Sequence, residues 1–250
     1  MMDLSRKFEG LDVKGRSVPT DSESFSLTAD VLSFRRCSRQ YHLLRESNFP
    51  PPNATQLYFG TVVHQTLDMA HAHYDETKII PSNQDVYSFF RAVEDGLFKT
   101  GVKPFRMGPK NGAMTGPNDG DLSYEELSAK IGPERASAFV KVRLFNNIFG
   151  KELYPSIIDT ECRLDLNMKD YTMTGTVDVL KRDQDNIEIW DYKSYESSIF
   201  APDKDGNISK EGKDAIMQMR IYCNMYENRT KEKLSKAVVV CIGDLDPKKS

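Results

Sequence analysis

The chain has 250 residues, of which 39% are hydrophobic and 28% charged, and its formal net charge is −3 at pH 7. This composition predicts a folded protein of one large or two small domains and excludes a largely disordered chain. The small net charge argues against a dedicated nucleic-acid coat protein, but a local basic stripe is compatible with it. No apolar run is long enough to span a membrane and the N-terminus lacks a signal-peptide core, so we expect a cytoplasmic protein without a membrane partner.

The first element along the chain is a basic helix. Residues 1–26 are polar and aperiodic, and we interpret them as a flexible lead-in. Residues 28–46 have the spacing of a capped amphipathic helix that carries Arg35, Arg36 and Arg39. Two interpretations of these arginines remain open, namely a stripe that binds DNA and an ordinary exposed face of a helix.

The rest of the N-terminal half is also predicted to be helical. His64 lies on the second helix, and a loop rich in glycine and proline interrupts a helical insertion at about residues 76–150. The predicted segments are helices at residues 57–74, 85–99 and 124–149 and a mobile loop at residues 101–120.

The second half of the chain contains a predicted β-hairpin. Residues 172–181 (TMTGTVDVLK) and 187–194 (IEIWDYKS) are rich in β-branched and aromatic residues, and the polar run between them predicts a tight turn. If the strands are symmetric about the middle of this turn, Asp178 lies directly opposite Asp191. Like charges in that arrangement destabilise a sheet, so the pair indicates a bound cation.

Lys193 is predicted to lie beside that cation. Side chains alternate along a strand, which places Lys193 on the same face as Asp191. Two carboxylates with an adjacent ammonium suit Mg²⁺-assisted attack of water on a phosphodiester. The alternative is a solvated hairpin face, because a D-x-K pattern is short and occurs often by chance.

The hairpin belongs to a predicted α/β sheet. A first strand precedes it, and a loop, an amphipathic helix and a buried strand follow it. In order, these segments cover residues 157–166, 194–213, 214–228 and 237–242. The four cysteines of the chain are widely scattered and form no C-x-x-C pair, so we expect reduced thiols rather than a zinc site or a disulfide framework.

Six separated segments together match one known pattern. In chain order they are CSRQYHLL at 37–44 (near C-P-x-x-Y/F), GTVVH at 60–64 (G-x-x-x-H), Glu161 on the first strand, GTVD at 175–178 (G-x-x-D), DYK at 191–193 (D/E-x-K) and QMRIY at 218–222 (Q-x-x-x-Y). Over residues 27–242 the chain therefore resembles the RecB-like branch of the PD-(D/E)XK nuclease superfamily.

The resemblance implies a fold and a metal site. The fold would be a restriction-endonuclease-like α/β core, in which helices flank a mixed central sheet, within a single domain at residues 27–250. The catalytic Mg²⁺ or Mn²⁺ would be held by Asp178, Asp191, the backbone carbonyl of Tyr192 and His64. Lys193 would position or help to deprotonate the attacking water, or stabilise charge on the phosphate.

The resemblance also assigns supporting residues. Gln218 and Tyr222 lie four apart on one helix face, where they would touch the DNA backbone or steady the active-site lysine. Glu161 would polarise the site or bind a second metal. Some relatives hold an iron–sulfur cluster with one early cysteine and three late ones; Cys37 fits the early position, but no late trio follows, so a cluster is not expected.

The resulting functional hypothesis is a metal-dependent DNA nuclease. We expect an exonuclease that acts on single-stranded DNA ends in recombination, repair or CRISPR adaptation. Two alternatives stay open: a catalytically inactive DNA-binding scaffold of a helicase–nuclease complex, and a hydrolase of RNA or small phosphoesters. The sequence contains no phosphate-binding loop of the Gly-x-x-x-x-Gly-Lys-Ser/Thr type, so a helicase or recombination protein is a candidate partner for any unwinding.

Overall fold

The helices and strands of the chain belong to two units in a computed structural model that describes residues 23–46, 55–104, 116, 118–184 and 186–249. The smaller unit comprises Met1–Pro52 and Asp165–Gly175, and the larger comprises Asn53–Leu164 and Thr176–Ser250. Two strands, β2 (Ile157–Met168) and β3 (Tyr171–Asp183), contribute residues to both units.

The smaller unit begins with a short strand and continues as broken helix. Strand β1 (Glu23–Ser26) pairs in parallel with the first residues of β3. The helical part consists of a π-helical turn (Leu27–Leu32), α1 (Ser33–Arg36) and α2 (Ser38–Glu46). The prediction of one continuous helix was wrong here, because Cys37 adopts an extended backbone with φ −157° and ψ 98°.

The described residues of the larger unit form five α-helices. They are α3 (Thr55–Thr77), α4 (Asn83–Lys99), α5 (Tyr124–Ile131), α6 (Pro133–Leu153) and α7 (Lys210–Thr230). The segment predicted as one helix at residues 124–149 is split into α5 and α6, because Gly132 has φ 91° and Pro133 occupies the first turn of α6. Helix α7 begins four residues before the predicted start, since the side chain of Ser209 accepts a hydrogen bond from the amide of Gly212.

The sheet of the larger unit is mixed. Strand β3 pairs with β4 (Asn186–Lys193) in antiparallel fashion, and β4 pairs with β5 (Lys236–Cys241) in parallel through the crossover helix α7. Strand β2 also pairs with β3. The predicted hairpin is confirmed, with a register that runs from Val179↔Trp190 to Asp183↔Asn186. Strand β5 is not buried as predicted, because its six residues are exposed or half-buried.

The hydrophobic core of the larger unit lies where α3, α4 and α6 pack together. Leu67, Phe90 and Phe139 are fully buried there. Tyr192 of β4 joins this core, with its ring 5.1 Å from that of Phe145. Because side chains alternate along a strand, burial of Tyr192 directs its neighbours Asp191 and Lys193 to the opposite face.

The predicted α/β class and the mainly helical N-terminal half are confirmed. Strand β1 covers the last four residues of the predicted lead-in, whose remainder lies outside the described residues. Most of the predicted loop at residues 101–120 also lies outside them. Among the described helices, none has the length and apolarity needed to cross a membrane.

Candidate active site

Asp178 lies where the paired part of the hairpin ends. The register of β3 and β4 reaches Val179↔Trp190, and one position further along β3 the carboxylate of Asp178 accepts a hydrogen bond from the backbone amide of Tyr192 at 2.5 Å. The Asp178 carboxylate thus binds a backbone amide that would otherwise be available to the hydrogen-bond ladder between the two strands. Asp178 is therefore fixed against the strand that carries Asp191.

Asp191 and Lys193 form a close ion pair on one face of β4. The Lys193 ammonium nitrogen lies 2.6 Å from Oδ2 of Asp191, whose side chain is 3% exposed. This oxygen accepts no hydrogen bond of acceptable geometry from the described residues. It is instead held by the ion pair with the Lys193 ammonium group. Lys193 remains partly open to solvent, with 17% of its side chain exposed.

Gln218 and Tyr222 support this pair from α7. The Gln218 amide nitrogen donates to the Tyr222 hydroxyl at 2.8 Å and makes a longer contact of 3.4 Å with Oδ1 of Asp191. Both side chains are buried, with 4% and 1% exposure. Their four-residue spacing puts them on one helix face, as predicted, and that face lies against Asp191.

A second cluster of ligand atoms surrounds Asp178. His64 of α3 and Glu161 of β2 join Asp178 in a group whose ligand atoms all lie within 4.8 Å of one another. The Nδ1 atom of His64 is 3.1 Å from Oδ1 of Asp178. Glu161 has a positive φ of 49°, which is uncommon for a residue with a side chain and occurs here inside a strand.

The predicted ligands thus occupy two connected positions. His64, Glu161 and Asp178 form the group of potential metal ligands, whereas the Asp191 oxygens contact Lys193 and Gln218. The Tyr192 amide links the two positions through its bond to Asp178. Arg35, Arg36 and Arg39 lie in the smaller unit, where they are exposed on α1 and α2.

Burial and mutual repulsion of the carboxylates shift their proton affinities. Burial raises the pKa of Asp191 to about 6, and the charge of Asp178 adds to this rise while Lys193 opposes it. Burial also raises the pKa of Glu161, with Asp178 as the next cause. Burial would lower the pKa of His64, but its hydrogen bond to Asp178 and the charges of Asp178 and Asp191 outweigh burial and raise it. Burial is the largest cause of the raised pKa at both Asp191 and Glu161, and the charge of Asp178 adds to both; a bound cation would favour the ionised carboxylates.

The group of potential ligands opens into a cleft of about 720 Å³. Its described lining contains three carboxylates and no lysine or arginine. Asp68 and Gln65, which line the cleft, were missed from the sequence, although Asp68 lies four residues after His64 and so on the same helix face. The lining residues are Leu57, Gly60, Thr61, His64, Gln65, Asp68, Met69, Val93, Glu161 and Asp178.

The donor set fits a divalent cation. Two carboxylates and an imidazole converge, and oxygen with nitrogen donors suits Mg²⁺, Mn²⁺ or Zn²⁺ rather than a soft, thiolate-bound metal. The cysteines are free, and Cys37 is exposed in the smaller unit. The site has no feature of an iron–sulfur cluster among the described residues.

The chain is similar to known proteins in sequence pattern and in fold. The chain matches the family model of the PD-(D/E)XK nuclease superfamily over residues 26–249. It also matches the crystal structure of a "Putative exonuclease" from Eubacterium rectale with a TM-score of 0.50 and 11% identity, over 95% of this chain and 72% of that one. At this identity the second match establishes likeness of fold. None of the curated proteins matches the chain.

Proposed function

The chain belongs to the PD-(D/E)XK nuclease superfamily, and from this premise we propose that it is a deoxyribonuclease that uses Mg²⁺ or Mn²⁺ to remove nucleotides from single-stranded DNA ends. One observation carries the proposal: His64, Glu161 and Asp178 converge beside the Asp191–Lys193 pair. The name of the Eubacterium rectale protein supports the choice of exonuclease.

In the proposed mechanism, His64, Glu161 and Asp178 would hold the metal, with Asp191 and the Tyr192 carbonyl as further candidate ligands. When bound, the metal supplies a Lewis acid for the phosphate and lowers the pKa of water.

Asp191 and Gln218, which lie beside the candidate metal site, orient Lys193. Asp191 holds the ammonium group by its ion pair, and Gln218 in turn contacts the other Asp191 oxygen. Lys193 then donates hydrogen bonds to the attacking water and to the phosphate oxygens, which gain negative charge in the transition state.

DNA binding needs cations that the cleft lining does not offer. Phosphates are repelled by a lining with three carboxylates unless a metal neutralises it. We assign backbone binding to Arg35, Arg36 and Arg39, which are exposed in the smaller unit. Recombination, repair or CRISPR adaptation in the cytoplasm, with a helicase or recombination protein as partner, is the proposed setting.

Cleavage of end-labelled DNA tests the proposal. Single- and double-stranded DNA, labelled at either end, would be incubated with Mg²⁺, Mn²⁺ or EDTA and with wild type, Asp191→Asn or the control Asp183→Asn on the exposed end of β3. We expect metal-dependent shortening of single strands by wild type and Asp183→Asn, and intact DNA with Asp191→Asn. Full activity of Asp191→Asn would refute the assigned site, and intact DNA in all wild-type reactions would favour the inactive scaffold.

A further inference from the structure

One face of α3 changes character along the cleft. Leu57, Gly60 and Thr61 line its beginning, and His64 and Asp68 follow at helical spacing. Leu57 is 49% exposed although it is a large apolar residue. The cleft therefore has an apolar end beside its metal-binding end.

Val93 of α4 also belongs to the apolar end. Its neighbour Glu94 accepts a hydrogen bond of 2.6 Å from the hydroxyl of Tyr58, which follows Leu57 on α3. This bond places Val93 at the level of Leu57 in the helix pair. The apolar end is defined by four residues, namely Leu57, Gly60, Thr61 and Val93.

Gly60 has no evident role in folding. It lies inside α3, where glycine destabilises a helix relative to alanine. Apart from its chain neighbours and the nearby backbone of α3 itself, no described atom lies within 4 Å of the position that a Cβ on Gly60 would take, so the described structure would admit alanine. A glycine that packing does not require, at the surface of a cleft, leaves room for a ligand to approach the helix backbone.

The apolar end suits a nucleobase rather than a phosphate. None of its four residues is charged, and the carboxylates of the described lining belong to the metal-binding end. Seven residues separate Leu57 from His64, which corresponds to about 10 Å along a helix. A strand with a phosphate at His64 could therefore reach Leu57 with a nearby nucleotide. A base in a duplex is paired through its edge, and its face is not free to contact the apolar end of the cleft.

We propose that the apolar end of the cleft binds an unpaired base next to the scissile phosphate, so that the enzyme takes single strands in preference to duplex. The proposal rests on the proposed nuclease function, because it uses the metal-binding end to locate the phosphate. Contact of the base with the apolar surface of Leu57 and Val93 removes that surface from water, which supplies affinity that does not depend on base identity.

Variants of two matched glycines test this subsite. Gly60→Ala and Gly60→Val fill the apolar end, whereas Gly96→Ala on α4 is the control, because Gly96 also has no described atom near its Cβ position but does not line the cleft. Binding of a ten-nucleotide single strand would be measured with Ca²⁺ as the metal. The same measurement would be made separately on an abasic single strand, which lacks the terminal bases at both ends. Cleavage of the same strands with Mg²⁺ would be measured in parallel.

We expect Gly60→Val to weaken binding of the complete strand by about tenfold, as the loss of contact with roughly 60 Å² of apolar surface would. The abasic strand should bind wild type more weakly by a similar factor and should not distinguish Gly60→Val from wild type. Gly60→Ala and Gly96→Ala should both raise the melting temperature, and a cooperative thermal transition of Gly60→Val should show that this variant also folds.

Equal affinity of wild type and Gly60→Val for the complete strand, or equal affinity of wild type for the two strands, would overturn the subsite. If those differences appear but no DNA is cleaved with any metal, the nuclease proposal fails and the subsite stands. Absence of any binding in wild type would overturn both.

Discussion

Lys193 places its ammonium nitrogen 2.6 Å from Oδ2 of Asp191, although the two residues belong to the same strand. The alternation of β4 puts both on one face, while the buried ring of Tyr192 between them anchors the strand to the core. The pair is therefore rigid on the Asp191 side and partly solvent-exposed on the Lys193 side, as a group that must reach substrate requires.

Replacement of Lys193 should separate catalysis from metal binding. We expect Lys193→Gln to lower the cleavage rate by about 10²–10³-fold, as loss of one positioned donor does in other enzymes. Affinity for Mn²⁺, measured by calorimetry, should not fall, because the lysine is not a ligand and its charge repels the cation. Lys236→Gln, at the exposed start of β5, is the control. A parallel loss of metal affinity would contradict this role.

Gln218 should act on catalysis through Asp191. Gln218→Met keeps the approximate volume of the side chain but removes the amide that contacts Asp191 and Tyr222. We expect the turnover rate to fall by about tenfold and metal affinity by 10–100-fold, the usual effect of losing a group that orients a site. The Michaelis constant for DNA should change little, because Gln218 is buried.

Two comparisons complete this test. Tyr222→Phe, which removes the hydroxyl, should reduce turnover less than Gln218→Met and should add little to it in the double variant, since the two groups form one chain of contacts. Arg220→Gln, on the exposed face of α7, should behave as wild type. Additive effects of the two site variants would mean that they act independently.

The hairpin was predictable because its period and its turn are local properties. Strand alternation fixes the common face of Asp191 and Lys193, and the symmetry of the turn predicts the observed pairing of Val179 with Trp190. The arrangement of Asp178 and Asp191 was less predictable from the sequence, because Asp178 uses its carboxylate to bind the Tyr192 amide.

The remaining site depends on packing between distant segments. The sequence motif indicates His64, but only the arrangement of α3 against the strands brings it to Glu161 and Asp178. Asp68 was missed because a single acidic residue on a helix is common, even at four residues from a histidine. The break between α5 and α6 was foreseeable from Gly132 and Pro133, whereas the extended backbone of Cys37 has no such signal.

Glu161 should lower the stability of the fold while it contributes to metal binding. A residue with a side chain at φ 49° is less stable than glycine by about 1 kcal/mol, and the neighbouring charge of Asp178 further opposes ionisation of Glu161. We therefore expect Glu161→Gly to raise the free energy of unfolding in EDTA while it lowers metal affinity. Urea unfolding and calorimetry with Mn²⁺ measure the two effects.

A matched variant separates the backbone from the site. Lys231, the C-cap residue that follows α7, has a similar φ of 65°, so Lys231→Gly should stabilise the fold without changing metal affinity. Glu161→Gln should lower metal affinity without relief of the backbone. If Glu161→Gly is less stable than wild type in EDTA, the positive φ is not a source of strain.

His71 should make the fold sensitive to acid. Burial lowers its pKa from 6.5 to about 4, so between these values the unfolded chain binds a proton that the folded chain does not. The free energy of unfolding should therefore decrease as the pH falls through this window, by roughly 3 kcal/mol for this residue. His71→Leu should remove that decrease.

The measurement is the difference in unfolding free energy between wild type and His71→Leu, determined with urea in EDTA at pH 4.5 and pH 7.5. Asp191, whose pKa is raised to about 6, acts in the opposite direction, because its folded state binds the extra proton on acidification. Its effect is present in both proteins and cancels in the difference. The unfolding free energy of His71→Leu minus that of wild type should thus be larger at pH 4.5 than at pH 7.5. If this difference does not depend on pH, His71 is not buried as a neutral imidazole.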